Sequence, residues 1–476
     1  MTLLARLDRL PLSRPHYLLL LLGGLGYTFD GMDSAVVAFL LPSVRDEWGL
    51  TNAQLGVIGS ATPFGFLFGA ACAGLLGDRI GRRRVMTSAL AVYAVFSVVG
   101  AAAPNYEVFL AARVFAGFGA GAESAIIAPF LSEFVPAARR GWFVGALAGF
   151  FSFGFVAAAL LGRFVVQPVP AGWRWAQVVT ALPIVLLLWW RRSLPESPRY
   201  LLASGRAADA ERVVVDLERR VRDATGRPLP PVPATAVHQP AEARRIGLLS
   251  ALKYLWSRPM ARRTAITWLI WFVITFAYYG FFTWIPTLLV QQGITVTKSF
   301  EFSIVIYLAQ VPGYFSAAWL GEFLDRKNTI ALYLAGAAAS AYWMSQLTDP
   351  VLITTSAAVL SCFLNGTYAA VYSYTPEVFP TWIRASGTGL SSAFGRVGSI
   401  IAPTVIGTSA ATLGFAGVFG MTTAVLAVGV VCTLVFGLAT AGRSLEDLSE
   451  DPVAGADPRS HRPTWTDPRT TGRRGN

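Results

Sequence analysis

Runs of 18 or more residues with few or no charges recur along this 476-residue chain, among them Leu18 to Leu41, Val85 to Ala103, Ile330 to Leu347 and Gly414 to Leu438. Each meets the roughly 20 residues that a helix needs to cross a bilayer at ~1.5 Å per residue. Backbone in hydrocarbon finds no water, so such a run closes its hydrogen bonds within a helix. With 54% hydrophobic and 14% charged residues, and a mean hydropathy of +0.52, the chain has more apolar surface than one water-soluble core can hide. Spans are expected at roughly 17–42, 53–76, 85–103, 107–131, 141–166, 174–191, 264–290, 301–323, 329–347, 351–375, 385–410 and 413–440. The fold class this predicts is an all-α membrane protein of twelve transmembrane helices.

The net charge of +12 raises the question of nucleic acid, and its placement answers it. Basic residues gather in alternate short loops: Arg79, Arg82, Arg83 and Arg84, then Arg139 and Arg140, then Arg326 and Lys327, then Arg384. The loops between them, near Arg45 to Glu47, Pro104 to Glu107 and Asp349, carry little positive charge. This asymmetry sets orientation in a membrane, with the basic loops and both termini cytoplasmic, and needs no nucleic-acid partner. Cys72, Cys362 and Cys432 all fall in apolar runs with no disulfide or metal spacing. The first run has no cleavage pattern after it and is expected to remain as the first membrane helix.

Four segments follow: a six-helix unit at 1–191, a polar linker at 192–263, a second six-helix unit at 264–440 and a polar tail at 441–476. Within the linker, Ala207 to Val221 has helical spacing and mixed charge; the tail has too little apolar content to fold. Glu133, Pro136 and Arg140 after the fourth span recur as Glu377, Pro380 and Arg384 after the tenth, 244 positions later (133 to 377). Gly74, Asp78 and Arg79 after the second span recur as Gly321, Asp325 and Arg326 after the eighth, 247 positions later (78 to 325). Two signatures repeated at the same ordinal positions imply a duplicated unit, and such repeats place a solute site between the halves.

The stretch Gly74-Leu-Leu-Gly-Asp78-Arg79-Ile-Gly81-Arg82-Arg83 resembles the loop motif of the major facilitator superfamily. With the two Glu-x-x-Pro-x-x-x-Arg repeats, Pro195-Glu196-Ser197-Pro198-Arg199 and Gly442-Arg443-Ser444-Leu445-Glu446, the pattern is similar to its sugar-porter-like branch over nearly the whole chain. Phe29-Asp30-Gly31-Met32-Asp33, Gly119-Ala-Gly-Ala-Glu123, Gly172-Trp-Arg-Trp175, Tyr278-Tyr279-Gly280, Trp284-Ile-Pro286 and Tyr374-Thr-Pro-Glu377-Val-Phe-Pro380 look most like bacterial niacin and organic-acid:proton symporters. The resemblance implies two pseudo-symmetric six-helix bundles, alternating access, uptake of a small organic acid with protons, and a monomer in the cytoplasmic (inner) membrane. It also implies that Asp33 and Arg113 serve proton coupling, and that the loop motif latches the outward-facing form.

Ionisable groups within spans are costly and mark function. Asp33 falls about 12 Å below the external end of its span and Arg113 about 9 Å below the same surface, so the two can meet. A buried carboxylate and guanidinium relieve each other's desolvation only as a pair, and a proton on the acid would separate them. Asp30, one turn deeper, and Glu123, about 24 Å below the outer surface, are further proton sites. Arg396, near mid-membrane, suits a substrate carboxylate. Tyr278 and Tyr279 are candidates for a stacking wall, and Trp284, Asn365 and Tyr372 are further substrate contacts. The cytoplasmic gate comprises Asp78, Arg79, Arg82, Arg83, Glu133 and Arg140, with Asp325, Arg326, Glu377 and Arg384 as its second-half counterpart; Arg82 or Arg83 is expected to reach Glu133, and Glu377 with Arg384 to form the weaker copy.

Rival readings are a sugar or polyol carrier, disfavoured because the seventh span lacks the glutamines of sugar porters, and a non-transporting membrane receptor. An enzyme is disfavoured, since no Ser-His-Asp, metal-ligand or phosphate-loop arrangement occurs, and no cofactor is implied.

Overall fold

The computed structural model describes residues 3–136, 139–182, 189, 194–232, 248–380 and 383–439. Among them all regular structure is helical. Among the described residues eight segments are long and apolar enough to cross a bilayer. Helix Arg14–Trp48, with 35 residues, and helix Arg326–Ser345, with 20, have the length but carry more polar groups. The sixth expected span begins as helix Gly172–Thr180, and residues 183–188, 190 and 191 lie outside the described set.

Local signals account for the ends. Thr51 caps helix Asn52–Ile80 by accepting the Gln54 N–H, Asn105 caps Tyr106–Ser132 by accepting that of Val108, and Asp349 caps Pro350–Val378. Each satisfies first-turn donors that have no partner within the helix. The eleventh and twelfth spans form one helical assignment, Arg384–Phe436, interrupted at Gly414, whose φ of +64° turns the chain. A two-residue gap was expected there; glycine takes that left-handed conformation without a Cβ clash, so one residue suffices.

The duplication shows in the packing. Asn52–Ile80 pairs with Tyr106–Ser132, as Gln310–Phe323 pairs with Pro350–Val378. Arg14–Trp48 packs on Arg140–Leu161, as Arg258–Gln291 packs on Arg384–Phe436. Arg82–Ala101 meets Tyr106–Ser132, as Arg326–Ser345 meets Pro350–Val378. Each half therefore holds its own bundle in the same arrangement. Close approach in the first bundle comes from Gly65 and Gly69 against Gly117 and Gly121: a Cβ on any of these four would overlap backbone of the facing helix. That contact brings Thr62 and Phe66 beside the helix that carries Arg113.

Between the halves, Asn52–Ile80 meets Arg384–Phe436, Arg14–Trp48 meets Arg258–Gln291, and Arg140–Leu161 meets Val296–Leu308. Ring and polar contacts joining them concentrate at the end away from the basic loops. Phe39 lies 5.0 Å from Phe300 and 5.8 Å from Tyr307. Phe155 packs edge-on against Tyr278, Phe282 and Tyr307. Ser60 Oγ and Thr404 Oγ1 are 2.9 Å apart, and Arg163 pairs with Glu301 at 2.9 Å. Nearer the basic loops, Tyr372 is 50% exposed although it stacks on Tyr368 and lies within electrostatic reach of Arg396.

The expected linker helix forms as Ala207–Thr225, with Val214, Leu217 and Val221 buried. Its Glu218 accepts hydrogen bonds of 2.6 Å from both Arg6 and Arg9, tying helix Leu3–Asp8 to it. Burial alone would push the Glu218 carboxyl up, and the two guanidiniums outweigh that, holding it below the usual carboxylate range. Residues 233–247 of the linker and the tail 441–476 lie outside the described residues.

Candidate functional site

Asp33 and Arg113, set at similar depth on helices Arg14–Trp48 and Tyr106–Ser132, form a two-pronged ion pair. Arg113 Nη1 donates to Asp33 Oδ1 at 2.8 Å and Nη2 to Oδ2 at 2.9 Å. Nη2 also donates to Thr62 Oγ1 at 2.7 Å and to the Asp33 carbonyl at 3.2 Å, and Nη1 to Gln177 Oε1 at 3.3 Å. Asp33 is fully buried and Arg113 is 1% exposed. Desolvating each charge costs several kcal/mol, roughly, and this fork with its extra acceptors is what offsets it. Losing either charge strands the other.

Asp30 and Glu123, each 1% exposed, are differently placed. Among the described residues neither Asp30 carboxyl oxygen nor Glu123 Oε1 has a hydrogen-bond partner. Asp30 lies within electrostatic reach of Glu123, Asp33 and Arg396. One turn below, the Tyr27 hydroxyl donates to the Ser124 carbonyl at 3.4 Å, joining the two helices. A carboxylate in so dry a place is costly unless paired, and a proton removes that cost.

A small cavity sits between the halves, lined by Ser34, Thr62, Phe66, Tyr279, Thr283 and Arg396 among others. The Arg396 guanidinium lies 4.1 Å from the Phe66 ring centroid, and its Nη1 donates to the Tyr279 hydroxyl at 3.2 Å. It is held by a ring face and a phenol rather than by a carboxylate, and a planar guanidinium so placed can grip an incoming carboxylate. Thr62 belongs both to this wall and to the Arg113 shell. Arg113 can only donate, so the Thr62 oxygen accepts and its own O–H remains available to the cavity.

Of the residues expected to touch substrate, Arg396 and Tyr279 line the cavity, and Tyr372, half exposed, lies within electrostatic reach of Arg396. Tyr278 does not line it: its ring is packed among Phe155, Phe282 and Tyr368. Adjacent residues on a helix point about 100° apart, so only one of the pair can face the site. Trp284 belongs to the closed end, where it is fully buried and its Nε1 donates to the Pro403 carbonyl at 2.8 Å. Asn365 donates to the Ser361 carbonyl of its own helix at 3.0 Å. Thr62, Phe66, Thr283 and Gln177 were not singled out from sequence, where uncharged residues in apolar runs carry no distinguishing signal.

At the basic-loop end, Arg82 pairs with Glu133, which also accepts from the Ser197 hydroxyl. Arg83 contributes its backbone N–H to Glu196 Oε1 at 3.1 Å. Both Arg82 and Glu133 lie in the first bundle, so this pair braces that bundle and does not itself tie the halves together. Burial pushes the Glu133 carboxyl up, against the hydrogen bond from Ser197 and the charges of Arg82, Arg199 and Arg140. Arg140 Nε donates to the Ser132 and Val135 carbonyls, both at 3.0 Å, and Nη2 to Asp8 at 3.1 Å. In the second bundle Glu377 pairs with Arg326 at 2.5 Å, and Arg384 Nε donates to the Phe379 carbonyl at 3.4 Å. Asp325 accepts the Lys327 N–H at 3.2 Å, capping its own helix. The side chains of Asp78 and Arg79 lie outside the described set.

The profile of the family described as sugar (and other) transporters matches residues 23–451. The chain belongs to that family. This carrier is 38% identical over 449 residues to the niacin transporter NiaP of Acinetobacter baylyi, covering 94% of this chain and 100% of that one. It is 34% identical to the putative niacin/nicotinamide transporter NiaP of Bacillus subtilis, over 90% of this chain and 97% of the relative. To the 4-hydroxybenzoate transporter PcaK of Pseudomonas putida it is 29% identical, over 83% and 86% of the two chains. Among solved structures, the partially occluded inward-open xylose transporter XylE of E. coli superposes with a TM-score of 0.73 at 16% identity, covering 91% of this chain and 100% of that one. At that identity the likeness establishes the fold. The chain is thus a multi-pass transporter of the major facilitator type, and not an enzyme.

Proposed function

We propose that this carrier takes up a small organic acid, nicotinate-like or another aromatic or aliphatic carboxylate, together with protons, by alternating access. The observation that carries the reading is Arg396, a guanidinium held by a ring and a phenol, and by no ion pair among the described residues, in the wall of the central cavity, with the Asp33–Arg113 pair linked to the same wall through Thr62. The bundles 1–191 and 264–440 rock about this site, with 192–263 as a cytoplasmic linker and 441–476 as a cytoplasmic tail. The membrane is the cytoplasmic (inner) one, both termini face the cytoplasm, and the unit is a monomer. Relatives named for niacin and 4-hydroxybenzoate transport support the substrate class.

In this scheme a proton arriving from outside neutralises Asp33 and releases Arg113, while the substrate carboxylate docks on Arg396 beside the Phe66 and Tyr279 rings. Asp30 and Glu123, buried, with neither Asp30 carboxyl oxygen nor Glu123 Oε1 hydrogen-bonded among the described residues, take protons along the route to the cytoplasmic side. One proton and one monoanion together carry no net charge, so the pH gradient alone drives accumulation. The test is uptake into proteoliposomes of nicotinate, benzoates, short organic acids and hexoses, with and without an imposed pH gradient. Acid uptake that rises when the outside is acidified, with hexoses left behind, is expected; transport of hexoses alone overturns the reading.

A further inference from the structure

A crevice lies away from the central site, at the basic-loop end of the second and third spans. It encloses about 560 Å³ and is walled by Arg83, Arg84, Thr87 and Ser88 from the start of helix Arg82–Ala101, with Tyr200 and Arg206 from the segment that follows the sixth span. A volume of several hundred cubic ångströms suits a small ligand, and the walls offer three guanidiniums, two hydroxyls and a phenol.

The acids nearby are already engaged. Glu196 also lines the crevice, and its Oε1 accepts the backbone N–H groups of Arg83 at 3.1 Å and Ser197 at 3.0 Å, so it occupies the helix N-terminus itself. Asp209 is shared between Arg206, at 2.5 Å, and Arg212. Among the described residues Arg84 carries no ion pair, and it is exposed. Positive charge therefore exceeds negative in the crevice. Below it the same two helices turn apolar side chains outward: Leu76 and Ile80 are each 43% exposed and Val95 52%. Ile80 is itself a wall residue. The crevice thus opens where lipid-facing surface meets the polar layer, a place reached by headgroups with their acyl chains still in hydrocarbon.

We propose that this crevice binds the phosphodiester headgroup of an anionic phospholipid in the leaflet at the basic-loop end. The phosphate sits between Arg84 and Arg206, and the glycerol hydroxyls of the headgroup meet Thr87 and Ser88. Bound there, the lipid clamps the segment carrying Glu196, Ser197 and Arg206 against the third span. Ser197 and Arg82 both hold Glu133, so the lipid steadies the brace of the first bundle. The inference is independent of which solute the central site carries.

The test uses the full-length protein. Lipid retained after extraction is measured by native mass spectrometry with phosphatidylglycerol competing against phosphatidylcholine, and solute uptake is measured in vesicles of phosphatidylcholine with and without phosphatidylglycerol. Wild type is expected to retain phosphatidylglycerol selectively and to transport faster when it is present. The double variant Arg84→Gln/Arg206→Gln should retain it about thirtyfold less well, from about 1 kcal/mol of interfacial attraction per arginine, and lose the lipid dependence while keeping its rate in phosphatidylcholine. Arg219→Gln, at a 70% exposed side chain outside the crevice, should behave as wild type. Equal retention by wild type and the double variant overturns the proposal, as does an equal loss in Arg219→Gln, which would mean diffuse surface charge. Displacement of the lipid by millimolar inorganic phosphate overturns it too, in favour of a soluble anion.

Discussion

Replacing Asp33 by Asn isolates the proton-sensitive half of the site. In the wild type the Arg113 guanidinium meets both Asp33 oxygens, at 2.8 and 2.9 Å, in a place with 0% and 1% side-chain exposure. Removing one partner of a buried pair costs roughly 3–5 kcal/mol. Asn keeps one acceptor oxygen, and Thr62 at 2.7 Å and the residue-33 carbonyl at 3.2 Å still accept from Nη2, so the lower end, about 3 kcal/mol, applies here. The variant should melt earlier in detergent, lose accumulation driven by a pH gradient, and keep detectable counterflow exchange, because exchange needs no net proton movement. The double variant Asp33→Asn/Arg113→Gln, which leaves no stranded charge, should recover most of the thermal stability and none of the pH-driven accumulation. Equal loss of accumulation and exchange in a well-folded protein would refute the coupling role, and so would undiminished pH-driven accumulation in Asp33→Asn.

Arg396→Lys keeps the charge but not the planar fork stacked on Phe66; KM for a carboxylate substrate should rise about tenfold or more, equivalent to roughly 1.4 kcal/mol, and unchanged affinity would remove Arg396 from the substrate site. Thr62→Val deletes an acceptor of Arg113 while keeping the volume, a loss of about 1.5–3 kcal/mol for a hydrogen bond to a charge; the pH profile of uptake should shift while Thr62→Ser restores it, and a wild-type profile in Thr62→Val would show that the hydroxyl takes no part. Glu218 is an acid held below its ordinary range by Arg6 and Arg9, so its contribution to docking of the N-terminal helix is present above the ordinary carboxylate range and is lost as pH falls through the lowered value. Proteolysis of the N-terminal segment should therefore quicken on acidification in wild type, whereas Glu218→Gln should be cleaved quickly at all pH values; pH-independent protection in the variant would contradict this.

The fold was legible because two kinds of signal agreed: charge-free runs long enough to span, and polar signatures such as Glu133-to-Arg140 returning after the tenth span as Glu377-to-Arg384. The Asp33–Arg113 meeting was legible for a related reason, since depth along a helix follows from counting residues. Rotation about the helix axis does not follow so directly in a helix that is apolar on every side. Tyr278 and Tyr279 are indistinguishable in sequence, yet one packs against Phe155 and the other meets Arg396. Trp284 looked like a cavity aromatic and instead seals the closed end against Pro403. Thr62 was invisible for another reason: threonines in apolar helices commonly bond their own backbone, as Thr367 does here, and only the packed structure shows which one turns to a neighbouring arginine.

Proton movement that accompanies substrate tests the central claim most directly. Proteoliposomes holding the purified carrier and an internal pH indicator are given external nicotinate at equal internal and external pH, beside protein-free vesicles that report passive entry of the neutral acid. The account predicts internal acidification by wild type well above the passive rate and none beyond it by Asp33→Asn. Substrate accumulation by the wild type with no acidification above the protein-free control would contradict it.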